Sequence, residues 1–181
     1  GANLMEYQVE LWADAGKLFR NLARLSAKGI PTLVVLHGPS TAGGAYMPGL
    51  SDYVIAVKNN GKAFLAGPPL LKAATGEIAT EDELGGAEMH ATVSGLVEYL
   101  AENDGQAVQM CRELLHRLQW NKDCAAPARR GYLEPVYDQD ELAGVIPCDY
   151  RTPYDMRQLV ARVVDGSDFM DFKPVQYRSK D

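Results

Sequence analysis

Apolar residues recur at helical spacing from Glu10 to Ala27. Leu11, Ala15, Leu18, Phe19, Leu22 and Leu25 share one face, with Lys17, Arg20 and Arg24 elsewhere, and the pattern predicts an amphipathic helix. Gly29-Ile30-Pro31 stops it. The run Thr32-Leu33-Val34-Val35-Leu36-His37 is apolar and reads as a buried strand. It leads to Thr41-Ala42-Gly43-Gly44-Ala45-Tyr46 and a short helical pattern broken near Pro48-Gly49. Tyr53 to Val57 and Ala63 to Ala66 read as further short strands around the turn Asn59-Asn60-Gly61.

Gly67-Pro68-Pro69 opens another predicted helix, Leu70 to Ala74, with proline in the first turn, where a missing N–H costs nothing. A polar piece, Gly76 to Glu83, leads to Leu84-Gly85-Gly86-Ala87. Asp104 to Leu118 is amphipathic, with Ala107, Val108, Cys111, Leu114, Leu115 and Leu118 on its apolar side. Asn121 to Tyr137 is irregular, rich in Pro, Ala and Arg, and reads as a linker. Pro153 to Val164 predicts a last helix, and Lys173 to Asp181 has no clear pattern. Helices alternating with short buried strands predict an α/β architecture of packed layers.

The 181 residues suit one domain or one domain with part of another, and 46% hydrophobic against 23% charged residues is ordinary for a soluble protein. A net charge of -6 argues against nucleic acid as the main partner. Cys111, Cys124 and Cys148 have unrelated spacings, which predicts a reducing compartment with neither a disulfide framework nor a metal site. No apolar run reaches transmembrane length and no signal-peptide pattern opens the chain, so the expectation is a soluble intracellular protein that binds neither nucleic acid nor membrane.

The strongest chemical signal is the pair Gly43-Gly44. Adjacent glycines at a strand-to-helix turn expose backbone N–H groups, and a helix start adds partial positive charge. Such a corner can hold an oxygen that becomes an anion during reaction. A tight turn that lets helix and strand pack closely explains the same glycines, and the local sequence leaves both readings open. Lys72 reads equally as a phosphate contact or a solvated lysine. His90 and Ser94 lie four apart without an elbow motif, and read as hydrogen-bonding structural residues near the pocket. Glu77, Glu81, Asp82 and Glu83 read as a solvated edge, and Arg129 and Arg130 as a solvated loop.

Taken in order, several words resemble the carboxyltransferase (β) subunit of biotin-dependent acyl-CoA carboxylases. They are Ser26-Ala27-Lys28-Gly29-Ile30-Pro31, Thr41 to Tyr46, the long word Phe64 to Glu77, Glu83-Leu84-Gly85-Gly86-Ala87 with His90, Ser94 and Gly95, and Pro153-Tyr154-Asp155-Met156-Arg157. The long word is most similar to the methylcrotonyl-CoA and geranyl-CoA carboxylases. The resemblance implies a ClpP/crotonase-like spiral fold, with residues 1–120 as the later half of a first domain, 121–150 as a linker and 151–181 as the start of a second. Family members are much longer, so the chain reads as an internal excerpt.

By that resemblance, Gly43 and Gly44 stabilise the thioester oxygen as an enolate forms, and Ala2, at the end of an earlier glycine-containing loop, adds a second N–H. Ala45, Tyr46, Gly49, Gly67, Pro68, Pro69 and Lys72 bind substrate, with Tyr46 packing rather than reacting. Gly49 stands where relatives often carry a larger side chain, which implies room for a longer or branched acyl group. Fold relatives that hydrate enoyl-CoA place catalytic glutamates near the positions of Tyr46 and of Pro68 or Pro69. None of these can act as a carboxylate base, which argues against water addition.

The resemblance further implies carboxybiotin carried on a partner biotin carboxylase/biotin carboxyl carrier (α) subunit and an acyl-CoA substrate. It also implies a homo-oligomer, hexameric in the family, in the cytoplasm or, in a eukaryote, the mitochondrial matrix. The alternatives are a biotin-dependent decarboxylase subunit of the same fold and a truncated, non-catalytic oligomerisation module.

Overall fold

The computed structural model describes residues 9–118, 120 and 131–174. The Ala2 site, Cys124, Arg129 and Arg130, most of the first half of the expected linker, and the tail from residue 175 lie outside the described residues. The chain forms two compact units, one of Gly1–Asn121 with Phe172–Asp181 and one of Lys122–Asp171.

In the first unit, helix α1 (Val9–Ala27) ends where Gly29 takes φ 67°, a left-handed conformation that glycine adopts without a Cβ clash. Strands β1 (Leu33–Leu36), β3 (Tyr53–Val57) and β5 (Tyr99–Ala101) form a parallel sheet in the order β1-β3-β5. The register pairs Val34 with Val54 and Ile55 with both Val35 and Tyr99. Asp52 fixes the sheet's entry, its Oδ2 accepting from the Thr32 N–H at 2.7 Å and from the Thr32 hydroxyl at 2.9 Å. As the central strand, β3 has Val54, Ile55 and Ala56 at no more than 1% exposure.

The core gathers Leu36, Val54, Ala56, Ala63, Ala87, Ala91 and Val97. Helix α6 (Asp104–Leu118) packs against β1, β3 and β5, burying Ala107 and Leu114. Its ends coincide with those expected from the apolar periodicity.

A second, smaller parallel sheet pairs β2 (Pro39–Thr41) with β4 (Lys62–Phe64). Neither β2 nor β5 is predicted from periodicity. β4 ends at Phe64 rather than Ala66, because Leu65 turns out to solvent at 62% exposure. After the short helix α2 (Tyr46–Leu50), helix α3 (Pro68–Thr75) starts on the prolines themselves and closes on Gly76 at φ 79°. The expected solvated edge contains the start of α4 (Glu81–Gly85), set by a capping box in which Thr80 and Glu83 exchange hydrogen bonds. Glu81 and Asp82 accept from Lys62 at 2.9 and 3.2 Å, so this edge is exposed but partnered.

Helix α5 (Ala87–Met89) runs into a π-helical turn, His90–Ser94, ended by Gly95 at φ 72°. Behind the sheet's edge, Phe172 meets Tyr53 and Tyr99 edge-on, each with centroids 6.4 Å apart. Lys173 holds the Gly95 carbonyl and lies 3.4 Å from Glu98.

The second unit contains α7 (Leu142–Val145) and α8 (Met156–Val160). α8 is shorter than the expected Pro153–Val164 helix. The Asp155 carboxylate accepts from the Arg157 N–H and so starts the helix there. Its organising side chain is Arg162, 8% exposed, which donates to Glu141 at 2.6 Å and to the Gln158 carbonyl at 2.8 Å and stacks over Tyr137. Among the described residues no helix is long and apolar enough to cross a membrane, and no group of three or more His, Cys, Asp or Glu can hold a metal ion.

Candidate active site

The diglycine corner follows β2 directly. Ala42 takes φ 50°, a left-handed conformation that costs a residue with a Cβ about 1 kcal/mol, and this swings the chain out of the strand. Ala42–Ala45 forms one 3₁₀ turn that runs on without a break into α2. Gly43 and Gly44 are therefore the second and third residues of a helical run, close to its N-terminal end, where the partial positive charge of the aligned peptides is concentrated. Carbonyls further on are used, the Tyr46 N–H bonding to those of both Gly43 and Gly44.

The two glycines differ. A Cβ on Gly43 would meet only the Phe19 ring at 4.0 Å, whereas one on Gly44 would come 3.1 Å from Ser40 Oγ. Gly43 is exposed and Gly44 half-buried, so the corner is open to a ligand on one side and tightly backed on the other. Tyr46 is 48% exposed and packs edge-on against Phe19 at 5.6 Å.

Beside the corner lies a cavity of about 420 Å³ bordered by Ala45, Phe64, Leu71, Leu84, His90 and Leu96, among others. Its lining is apolar apart from the His90 ring. Ala45, the last residue of the corner turn, belongs to both. Of the other expected substrate contacts, Gly67 caps α3, and a Cβ there would touch Phe64 at 3.5 Å. Pro68 and Pro69 form the first turn of α3. Lys72 is exposed in the last turn of α3, where its charge complements the helix C-terminus. Leu71, its neighbour, borders the cavity instead. A side chain on Gly49 would enter open space.

His90 carries more of this site than its spacing suggests. Its Nε2 lies 2.6 Å from the Ala63 carbonyl and its Nδ1 2.7 Å from Ser94 Oγ. Because a carbonyl only accepts, Nε2 bears the hydrogen, and in the neutral ring Nδ1 accepts from the serine. The partner on β4 is 27 residues away, so nothing local in the sequence signals it. The glycine words do carry a signal. A Cβ on Gly85 would come 2.2 Å from the Ala63 carbonyl oxygen, so only glycine lets α4 close on β4.

Around the cavity the charged groups are tied elsewhere. The hydrogen bonds that Lys62 donates to the Glu81 and Asp82 carboxylates raise its pKa, and the Thr80 backbone and hydroxyl hold Glu83 below the usual carboxylate range. The corner thus offers main-chain donors next to an apolar hollow, an arrangement able to hold a polarised thioester oxygen with its acyl chain out of water.

Over 93% of its length, the chain is 51% identical to a probable biotin-dependent acyl-coenzyme A carboxylase beta2 subunit of Mycobacterium tuberculosis, of which it spans 31%. Among solved structures, the beta subunit of P. aeruginosa geranyl-CoA carboxylase is 54% identical with a TM-score of 0.61, the match covering 96% of this chain and 32% of that one. The transcarboxylase 12S hexamer, solved with methylmalonyl-coenzyme A and methylmalonic acid bound, is 32% identical with a TM-score of 0.84, covering 97% and 34%. The chain therefore spans about a third of the length of these relatives, and its α/β architecture is that of the crotonase-like carboxyltransferases. With residues 1–177 matching the carboxyl transferase domain, the chain belongs to that family.

Proposed function

We propose that this chain forms part of the carboxyltransferase component of a biotin-dependent acyl-CoA carboxylase. The observation that carries the reading is the accessible Gly43-Gly44 corner, shared through Ala45 with an apolar cavity of about 420 Å³. The amides of Gly43 and Gly44 receive the thioester oxygen of the acyl-CoA and stabilise it as negative charge develops, with Ala2 supplying a further donor. Loss of one such donor is worth about 3 kcal/mol of transition-state stabilisation in comparable sites. Carboxybiotin supplies the carboxyl group and, once that is released, a basic ring nitrogen for the substrate's proton. This chain accordingly needs no carboxylate base at Tyr46, Pro68 or Pro69.

The apolar lining and the open space at Gly49 favour a branched or extended enoyl-CoA of the methylcrotonyl or geranyl type, held along Gly67 to Lys72. Residues 1–120 act as the later half of a first domain and 121–150 as the linker to a second. The partner is the subunit that carries biotin, the assembly a homohexamer, and the compartment the cytoplasm or mitochondrial matrix.

The test is incorporation of labelled bicarbonate into CoA thioesters by the native full-length polypeptide with its biotinylated partner. Label in methylcrotonyl-CoA or geranyl-CoA is expected. Preference for acetyl-CoA would overturn the acyl assignment, and no labelled product with any thioester would overturn the function.

A further inference from the structure

We propose that His90 is a positioning residue for the carboxyl transfer. By holding the Ala63 carbonyl, it fixes the strand pair from which the diglycine corner springs. The inference rests on the function proposed above and adds to it a residue that acts through the strand pair and not on the thioester oxygen.

The connection runs through named atoms. His90 Nε2–H donates to the Ala63 carbonyl at 2.6 Å. Ala63 pairs in register with Ser40, and Phe64 with Thr41, the residue before the corner. Ser40 Oγ is the atom against which Gly44 is backed. Displacement of β4 therefore moves β2, and β2 carries Ser40, the tight backing of Gly44 among the described residues. The same imidazole borders the cavity that Ala45 borders, so one ring sets a wall of the acyl hollow and the strand beneath the oxygen-holding amides.

The ring is itself held from behind. The π-helical turn puts Ser94 on the face of His90, where its hydroxyl meets Nδ1 at 2.7 Å and accepts from the Leu96 N–H at 3.3 Å. Such single π turns are frequent at functional sites. The Gly85 position supplies the remaining condition, since a side chain there would occupy the space beside the Ala63 oxygen.

Three variants of the native full-length polypeptide test the idea. In His90→Gln the side-chain amide reaches as far as Nε2 and can still donate to Ala63. In His90→Asn it reaches only as far as Nδ1, so that the Ala63 bond is lost. Ser94→Ala releases the ring without removing it. Losing one such half-buried hydrogen bond corresponds to up to about tenfold. His90→Asn should therefore lower kcat by up to about tenfold, leave KM for the thioester within about threefold, and raise amide exchange at Thr41 to Ala45 by a similar factor.

His90→Gln should restore both readouts to within about threefold of the parent, and Ser94→Ala should fall between the two. Unchanged exchange at the corner in His90→Asn, or a Gln variant as impaired as the Asn variant, would overturn the proposal. If His90→Asn does not fold, the exchange of Ser94→Ala decides, and exchange equal to the parent rejects the role. A parent protein that carboxylates no thioester removes the function proposed above, while the exchange measurement still judges the clamp.

Discussion

The two parallel sheets of the first unit differ in what holds them. In β1-β3-β5 the central strand is covered on both faces, and Val54, Ile55 and Ala56 are almost wholly removed from water. Apolar burial of this kind is worth about 25 cal/mol per Å² and requires no particular partner. The β2-β4 pair buries Ala63 and Phe64 of β4 but has exposed Pro39 and Thr41 on the other strand, and is held by directional contacts as well. These are His90 to the Ala63 carbonyl, Lys62 to Glu81 and Asp82, and the Asn60 amide to the His37 carbonyl. Two bare glycines complete it, Gly61 against the Leu36 carbonyl and Gly85 against that of Ala63. The first sheet resists change because it is full. The second keeps its shape because certain atoms are missing and certain donors are aimed, and this is the sheet that presents the corner.

The contrast predicts that the larger sheet breaks when atoms are removed and the smaller one when they are added. Ile55→Ala, at a fully buried position, should cost about 4 kcal/mol, from lost transfer energy plus the cavity left behind. Denaturant unfolding measures it, and a loss below about 1 kcal/mol would show that β3 is not the load centre of the unit. Gly85→Ala adds a single methyl, but that methyl would lie 2.2 Å from a backbone oxygen, and the backbone must shift, at about 3 kcal/mol. The same substitution at Gly43, where only the Phe19 ring at 4.0 Å is in reach, should cost less than about 1 kcal/mol. Equal losses at Gly85 and Gly43 would end the distinction between a glycine required for close approach and one that is not.

At the corner the expected loss is in turnover rather than folding. Gly44→Val places branched carbons against Ser40 Oγ and over the amide proposed to receive the thioester oxygen, and should lower turnover of the native polypeptide about a hundredfold. Circular dichroism should show the fold retained. Turnover within about threefold of the parent would take Gly44 out of the chemistry.

The division between the sheets also explains what could be read from the chain. The unbroken apolar run of β3 and the helical periodicity of α6 are one-dimensional signals, and both elements occur where those signals lie. The Gly43-Gly44 turn between strand and helix was legible for the same reason, since its meaning lies in adjacent residues. β2 has only three residues, starts on proline and has no apolar alternation. Its existence depends on pairing with β4, which no local pattern records. The His90 clamp likewise joins residues 27 apart. Thr80 and Glu83 do have capping-box spacing, a local signal that marks the start of α4 inside what reads as a solvated charge run.

That capping box yields the smallest effect, and its sign can be worked out. The Thr80 backbone N–H and hydroxyl both donate to the Glu83 carboxylate at 2.9 Å, which lowers its pKa, the backbone bond contributing most. A carboxyl group with a lowered folded-state pKa contributes stability above its unfolded value of about 4.3 and loses it as pH falls through the folded value. Glu83→Gln keeps an oxygen to accept from Thr80 but removes the charge. The variant should therefore be slightly less stable than the parent at pH 7, and the gap should close as the pH is lowered below 4. Paired urea titrations at the two pH values measure this directly. A gap that stays constant, or widens in acid, would mean that Glu83 supports α4 through its shape and not through its charge. The polar fastening of the smaller sheet's flank would then be insensitive to acid at this point, with Lys62 left as its electrostatic link.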